Sequence, residues 1–410
     1  MRAPIYHLAS CILNYKSVIC SRVEHHFHIS RFVQFSMSID VTPVQSKSDR
    51  KAFINLSWQI YRGDRNWVPP LRSDLKKRFN PAKYPFFDHA EVQFFLARRD
   101  GRPAGRIAAI KNDAHIDFHE EPVGFFGFFE CTQDKEVAEA LFNHAADWLR
   151  TRQLEVMRGP MSYSINDECG LLIDGFDSPP AIMMPYNPLY YCDLFEEFGF
   201  RKAKDLLAYE ITDEVPLPDR LERIVERIKK RQQITIRSLV KKQMNQEIQR
   251  VKDIYNSAWE KNWGFVPMTD GEIDQMAAEL IQIVDPELLL FAEVEGEPVA
   301  FILALPDFYQ ALKHANGRLF PFGLLKILWQ VYIKKIDSVR ILTFGIKEGH
   351  RRSGIDALLY YEVYRAGVKN GYRRAELSWI LEDNALMNRA LENMGAKVYK
   401  RYRIYDYQLA

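Results

Sequence analysis

The stretch Ile341-Leu-Thr-Phe-Gly-Ile-Lys-Glu-Gly-His-Arg-Arg-Ser-Gly-Ile-Asp356 decides the fold of this chain. An apolar strand, 339–346, runs into a short basic loop, and the loop opens into a helix whose apolar side chains share one face. The first turn of a helix has backbone N–H groups without intrahelical partners, and the helix dipole adds positive charge there. Two arginines strengthen that charge, and Gly354 lets the backbone approach an anion closely. The pattern therefore predicts a pyrophosphate site.

This stretch resembles the GNAT N-acetyltransferase superfamily, whose loop carries Arg or Gln, two residues, Gly, one residue, and Gly or Ala. Arg351, Gly354 and Asp356 occupy those places, and the aspartate departs from the pattern. In that family the strand after the helix, here 373–380, splays from its neighbour and leaves a gap for the pantetheine arm of coenzyme A. The resemblance implies that acyl-CoA is held by the following residues: Ile346, Lys347, Arg351, Arg352, Ser353, Gly354, Ile355, Asp356 and Asn384.

The resemblance also sets expectations for catalysis. Many members have a tyrosine four residues before the glycine that closes the next helix, acting as general acid towards the departing thiolate, and Leu391 stands at that position here. The acceptor amine must lose a proton, so a base is expected at the cleft. Carboxylates on or beside the strands that would line it are Glu293, Asp307 and Glu376, each of which fits a solvated strand edge equally well.

The loop that holds Trp263 and Phe265 lies where the family places its acceptor-binding helices. These aromatic side chains are predicted to shape a substrate pocket. The alternative is an inherited packing feature, because a similar Trp-containing loop surrounds Trp67 in the first half of the chain.

The order of predicted elements recurs, which indicates an internal duplication. The loop 131–136 of the first copy has no glycine and no arginine pair, so we expect a degenerate copy that does not bind coenzyme A. The expected fold is α/β (α+β), with tandem acyl-CoA N-acyltransferase-like domains, each a mixed, mostly antiparallel sheet flanked by helices. The expected boundaries are a disordered extension, a degenerate domain, a linker with a helix, and the acyl-CoA-binding domain, at 1–36, 37–212, 213–233 and 234–410.

An insertion, 306–337, separates two strands that a short connection would join. Its core, 319–333, is strongly apolar and is followed by Lys334 and Lys335. Three interpretations stay open: a lid over a lipophilic acyl chain, a helix on a membrane surface, or a contact between the two domains.

Composition excludes several classes of protein. With 56 Lys and Arg against 54 Asp and Glu, the net charge of +2 gives no field that would hold nucleic acid. Five irregularly spaced cysteines favour a reducing, cytoplasmic setting. No apolar run reaches the roughly 18 residues that span a bilayer. The cluster His25, His26 and His28 lacks partner ligands, so we predict no metal site.

Together these patterns predict an acyltransferase, in the first place an N-acetyltransferase that moves an acyl group from acetyl-CoA or another acyl-CoA to a small-molecule amine by direct attack. Two alternatives remain. Asp356 and Leu391 favour a non-catalytic acyl-CoA sensor or scaffold, and the apolar insertion favours a long-chain or lipid-directed acyltransferase. No pattern in the sequence identifies the acceptor, the acyl chain length or the oligomeric state.

Overall fold

The computed structural model describes residues 38–231, 234–260, 262–351 and 353–409. The predicted extension, 1–36, and Arg352 lie outside the described residues. The strands are β1 (Ile39–Pro43), β2 (Ala90–Arg99), β3 (Arg102–Asn112), β4 (Val123–Cys131), β5 (Val156–Gly159), β6 (Leu171–Asp174), β7 (Arg201–Thr212), β8 (Ile234–Ser238), β9 (Leu289–Val294), β10 (Glu297–Pro306), β11 (Ser338–Ile346), β12 (Arg374–Leu381) and β13 (Lys397–Gln408). The helices are α1 (Lys47–Ile60), α2 (Arg72–Arg78), α3 (Asp113–His119), α4 (Lys135–Arg150), α5 (Tyr191–Phe198), α6 (Asp219–Arg231), α7 (Met244–Trp259), α8 (Asp270–Leu280), α9 (Tyr309–Leu312), α10 (Gly323–Trp329), α11 (Ile355–Lys369) and α12 (Ala385–Asn393).

Helix ends follow local sequence signals. Ser46 caps α1 and Thr269 caps α8, each in a capping box with an acidic residue three positions later. Gly199 ends α5 in the left-handed conformation, at φ 106°. These signals are local, so the ends of these three helices follow from the sequence alone.

The strands form one sheet in the order β1-β2-β3-β4-β5-β13-β7-β12-β11-β10-β9-β8, with β6 paired to β13. All neighbours are antiparallel except β4–β5 and β11–β12, which are parallel. Helices α7 and α11 pack on opposite faces of β10 and β11, in two separate apolar cores. The mixed, mostly antiparallel sheet flanked by helices is the fold class that the sequence predicts.

The two halves exchange their last strands. β7 ends the first half yet pairs with β12 of the second, while β13 ends the second half and pairs with β5 and β6 of the first. β7 and β13 also pair with each other at the centre of the sheet. The side chain of Asp205 on β7 is buried and accepts two hydrogen bonds from Arg403 on β13, at 2.8 and 3.1 Å. The sheet therefore runs without interruption from one half to the other.

We expect the described part of the chain to unfold in one cooperative transition, because each half supplies a strand to the sheet of the other. A chain that ends at Thr212 would leave β5 without β13 and β7 without β12, and unpaired strand edges promote aggregation. Urea unfolding of the full chain followed by tryptophan fluorescence and by circular dichroism should give coincident curves. Two separated transitions, or a folded monomeric 38–212 fragment, would contradict this expectation.

Candidate functional site

A gap opens between β11 and β12 in the second half. The two parallel strands pair from Ser338 and Arg374 as far as Ile341 and Leu377, and beyond these residues they diverge. At the same level Leu342 is an extra residue on β11, a β-bulge opposite β10. The splayed strand that the family resemblance implies is therefore present at the expected place.

The last turn of α7 lies against this gap. Lys347 donates its backbone N–H to Val299 of β10 at 2.9 Å, and because successive residues of a strand face opposite sides, the carbonyl of Phe344 faces the gap. The indole N–H of Trp259 donates to that carbonyl at 3.0 Å. Trp259 also contacts Trp379 of β12 edge to face, with the ring centroids 6.3 Å apart. One indole thus contacts both strands at their divergence.

The predicted phosphate loop leads directly into α11. Gly354 is the N-cap residue at φ 85°, and it supplies no side chain to cap the first N–H groups of the helix. Arg351 donates to the carbonyl of Ala258 in the last turn of α7 at 2.9 Å. Asp356 is exposed in the first turn of α11. The N-terminus of α11 therefore presents backbone donors beside an arginine, as a phosphate site requires.

The remaining described residues of the predicted acyl-CoA set have packing or capping contacts of their own. Ile355 is buried, and Ile346 packs in the same apolar core. The Ser353 hydroxyl donates to the carbonyl of His350 at 2.7 Å. Asn384 caps α12 by accepting the N–H of Met387 at 3.3 Å.

In the first half the equivalent helix is α4, and a side chain already caps its first backbone N–H groups. Asp134 is the N-cap of α4, where its carboxylate accepts the N–H of Val137 at 3.2 Å and forms a salt bridge with Arg99. A carboxylate at this position occupies the donors and repels an anion. Gly354, the N-cap residue of α11, has no side chain that could do the same.

A cavity of about 210 Å³ adjoins the gap. At the sheet it is lined by Arg340, Leu342 and Thr343 of β11 and by Trp379 of β12. Its walls between α7 and α8 are mostly apolar, with Glu247 and Lys252 of α7 as the charged members; the apolar and aromatic residues are Met244, Ile248, Val251, Tyr255, Ile273, Met276, Ala277, Leu280, Ile281 and Val284. The Thr343 hydroxyl is buried and has no hydrogen-bond partner in the described part of the chain. The cavity can therefore take an alkyl chain, with polar groups at the end next to the gap.

Both aromatic residues singled out in the sequence line this cavity, namely Trp263 and Phe265. Their loop is fixed to the first half, since the Phe265 carbonyl lies 2.7 Å from the imidazole of His119, and the Val266 carbonyl accepts the side-chain N–H of Asn166 at 3.0 Å. The two interpretations of this loop are compatible, because it forms a cavity wall and a contact between the halves.

Asp167 is a carboxylate of the cavity wall that the sequence did not single out. It belongs to the segment between β5 and β6 of the first half, yet it lines the cavity of the second half. Its side chain is 19% exposed and accepts hydrogen bonds from Arg78 at 2.8 Å, Tyr84 at 3.2 Å and Ser164 at 3.3 Å. Burial raises its pKa to about 6, against the opposing effect of Arg78. The sequence signal was a run of polar residues, 162–168, to which no element was assigned.

Two of the three predicted carboxylates are engaged by the strands around them. Glu293 on β9 accepts a hydrogen bond from Arg237 of β8 at 2.5 Å. Glu376 on β12 is buried, accepts hydrogen bonds from Ser378 and Tyr399, and lies 3.8 Å from Arg340. Neither residue is part of the cavity wall.

Asp307, the third, lies at the end of β10 and is buried outside the cavity. It accepts the backbone N–H of Ile182 at 2.9 Å and of Tyr309 at 3.3 Å. Burial, assisted by the charge of Glu376, raises its pKa to about 6. Leu391, at the position of the family's general acid, is fully buried in the core around α11.

The first half contains a cavity of its own, of about 170 Å³. Trp67 lines it, just as Trp263 lines the cavity of about 210 Å³ beside the gap, which we call the main cavity. The first-half cavity is more polar, because it contains the buried Glu130, which accepts hydrogen bonds from Ser57 at 3.1 Å and from Tyr191 at 2.8 Å. Burial raises the pKa of Glu130. Matching cavities beside matching loops support the internal duplication.

Comparison with known proteins places these features in context. No family model matches the chain. A bacterial ceramide synthase of Caulobacter vibrioides is 37% identical over 380 residues, which cover 92% of this chain and 99% of that protein. The protein YghO of Escherichia coli is 36% identical over 370 residues, which cover 89% of this chain and 94% of that protein.

Among solved structures, a tandem GNAT protein from the clavulanic acid biosynthesis pathway matches with a TM-score of 0.53 at 11% identity. The match covers 91% of this chain and 99% of that chain. At so low an identity the likeness concerns the fold, and it confirms the predicted GNAT-like fold with a tandem arrangement.

Proposed function

We propose an activity from the premise that this chain belongs to the family of the Caulobacter vibrioides bacterial ceramide synthase and Escherichia coli YghO. The proposed activity is acyl-CoA-dependent N-acylation, in which a long-chain acyl group is joined to the amine of a lipid acceptor. A ceramide is the amide of a fatty acid with a long-chain amino alcohol, so the name of one relative describes a product of this class. An acyltransferase enzyme of GNAT fold agrees with the prediction from the sequence.

The apolar cavity is the observation that carries the proposal. Its walls between α7 and α8 are mostly apolar, the exceptions being Glu247 and Lys252 of α7, which form salt bridges with Arg237 and Asp270. Buried alkyl groups are stabilised in such surroundings by about 0.8 kcal/mol per methylene. A donor as small as acetyl-CoA would leave this space unused. The cavity therefore favours the lipid-directed alternative over the acetyltransferase that the family resemblance first suggested.

The acyl-CoA substrate fits the opposite side of the same site. The uncapped start of α11 at Gly354 suits the diphosphate, and the gap between β11 and β12 suits an extended pantetheine arm. In the structure the Trp259 indole donates to the Phe344 carbonyl in this gap. An amide N–H of the pantetheine arm would replace the indole as the donor to this carbonyl. The thioester then lies where the gap meets the cavity.

The proposed reaction is a direct transfer. The neutral amine nitrogen attacks the thioester carbonyl carbon, a C–N bond forms, and the C–S bond breaks as the coenzyme A thiolate leaves. Backbone N–H groups of β11 that face the gap stabilise the oxyanion of the tetrahedral intermediate. The proton lost by the amine passes to a base and then to the thiolate or solvent, so no covalent enzyme intermediate is needed.

Asp167 is proposed as the base. It is an ionisable carboxylate in the cavity wall, and its pKa of about 6 leaves it ionised at neutral pH while keeping it basic enough to accept a proton. The Asn166 side chain beside it accepts a hydrogen bond from Tyr255 at 2.9 Å, which fixes this part of the segment against α7.

The activity is tested with the purified full chain, by following thiol release and product mass. We expect turnover with a long-chain acyl-CoA and a long-chain amino alcohol, and at least tenfold lower kcat/KM with acetyl-CoA or a short amine. Equal turnover with short and long substrates would contradict the lipid-directed proposal. Binding of acyl-CoA without thiol release to any amine would support the non-catalytic sensor instead.

Gly354→Ala should weaken acyl-CoA binding by about tenfold. An L residue at φ 85° is strained by roughly 1–2 kcal/mol, and the added Cβ would meet the Ile228 side chain at 2.4 Å. Gly371→Ala is the matched control, because Gly371 has φ 88° at the other end of α11 and open space around its Cβ position. Calorimetric titration with coenzyme A should separate the two variants. Equal affinities in both would remove the loop from the binding site.

Asp167→Asn should lower kcat by about 100-fold, as expected for loss of a general base. The wild-type kcat/KM should fall with decreasing pH through about 6, because protonated Asp167 cannot accept a proton, and the variant should lack this acid limb. Asp307→Asn is the control, since Asp307 has a similarly raised pKa but lies outside the cavity. An unchanged acid limb in Asp167→Asn would assign the base to another group.

Ala277→Phe should shorten the cavity from the α8 side. Each methylene excluded from an apolar pocket costs roughly 1 kcal/mol or more, so kcat/KM for the longest chains should fall at least tenfold while short chains are affected less. Ala278→Phe, the exposed next residue of α8, should leave the chain-length profile unchanged. The profile is measured by varying the donor and then the acceptor. An equal loss at every chain length in both series would refute the assignment of the cavity.

A further inference from the structure

The insertion between β10 and β11 is attached to the first half around Asn316 and Gly317. The Trp58 indole donates to the side chain of Asn316 at 3.0 Å, and the backbone N–H of Arg72 donates to the Gly317 carbonyl at 3.1 Å. Gly317 packs so closely that a Cβ would meet the Trp58 ring at 2.4 Å. Specific contacts therefore set the position of the insertion. A contact between the two halves was one of the three interpretations of this segment.

Beyond this attachment, α10 and the π-helical turn Gln330–Lys334 bury one side only. Gly323 and Ile327 are buried, and Ile327 packs with Val331 against the short helix α9 and the turn after it. The opposite side is also apolar but exposed, with Phe320 77%, Tyr332 71% and Trp329 55% accessible. We call the residues of this side the insertion face; they are Phe320, Phe322, Leu325, Trp329, Tyr332 and Ile333.

The insertion face is flanked by positive charge. Residues 308–336 contain Lys313, Arg318, Lys326, Lys334 and Lys335 but no Asp or Glu, in a chain whose charges otherwise nearly balance. Aromatic side chains surrounded by lysine are typical of surfaces that lie in the headgroup region of a bilayer, where the rings enter the interface and the ammonium groups meet anionic lipid.

Two other roles for this segment, a lid over the site and a dimer contact, do not fit its position or its charge. No residue of the insertion face lines the main cavity or the first-half cavity, so it is not a lid over the site as described. A symmetric dimer through the face would bring the same patch of each copy together, and with it five cations per copy that have no acidic counterpart in 308–336. An anionic surface complements this charge.

We propose that the insertion face docks the protein on an anionic phospholipid bilayer, with Phe320, Phe322 and Trp329 in the interface and the lysines at the headgroups. Among the described residues no helix is long and apolar enough to cross a membrane. This proposal is independent of the proposed reaction, since it rests on a surface outside both cavities.

The test uses the full chain and vesicles of phosphatidylcholine, alone or mixed with phosphatidylglycerol, and measures the bound fraction by flotation. We expect binding to the mixed vesicles that weakens with salt. The variant Leu325→Ser/Trp329→Ser, with its two changes one helical turn apart, should lose at least tenfold in partitioning. Lys334→Glu/Lys335→Glu should lose binding to the anionic vesicles specifically.

Leu189→Ser is the matched control, because Leu189 is 63% exposed, the same as Leu325, but belongs to the segment between β6 and α5 and not to the insertion. It should bind as wild type, and the exposed positions predict unchanged melting temperatures in all variants. Absence of wild-type binding to mixed vesicles, or wild-type binding by the Leu325→Ser/Trp329→Ser variant, would overturn the proposal. So would a concentration-dependent dimer in sedimentation velocity that this variant abolishes, because the face would then be a contact between copies.

Discussion

The pairing of β7 with β13 at the centre of the sheet is the constraint on which the rest of the structure depends. Each of these strands comes from one half and continues the sheet of the other, so neither half has a complete sheet alone. At their junction Asp205 is buried, and burial opposes its ionisation, but hydrogen bonds from Arg403 and Lys202 outweigh this effect and lower its pKa. The hydrogen bonds between Arg403 and the buried Asp205 favour the observed register, since a slip by one residue would turn Arg403 to the other face of the sheet.

The same exchange explains how a first half that lacks the phosphate loop still contributes to the site. Because β7 lies next to β12, the segment between β5 and β6 reaches the cavity beside β11, where it places Asp167 and Ile165. In the first half the corresponding gap is closed further along the strands, since the Met161 N–H donates to the Phe126 carbonyl at 2.8 Å. The gap is therefore open in the second half, and the first half contributes Asp167 and Ile165 to the wall of the cavity beside it.

Sequence reasoning reached the parts of this arrangement that are encoded locally. The strand, loop and helix around Gly354 could be predicted because a left-handed glycine before a helix is a local requirement, and the splay at Ile341 followed from the family resemblance. The exchange of strands could not be predicted, because periodicity shows that a segment is a strand but not which strand it pairs with. The surroundings of the predicted carboxylates could not be predicted for a related reason. Glu376 appears available in sequence, and only packing reveals that Ser378 and Tyr399 engage it.

Helix α7 connects the polar and apolar parts of the site. Its last turn binds Arg351 through the carbonyl of Ala258 and contacts the gap through Trp259, while its earlier turns, with Tyr255, form the wall of the cavity. A molecule that enters the gap must compete with Trp259 for the Phe344 carbonyl. The ring of Tyr255 is stacked on the indole of Trp259, with the ring centroids 5.4 Å apart. A shift of the indole therefore also moves Tyr255. Occupation of the gap and the shape of the cavity are therefore physically linked through one helix.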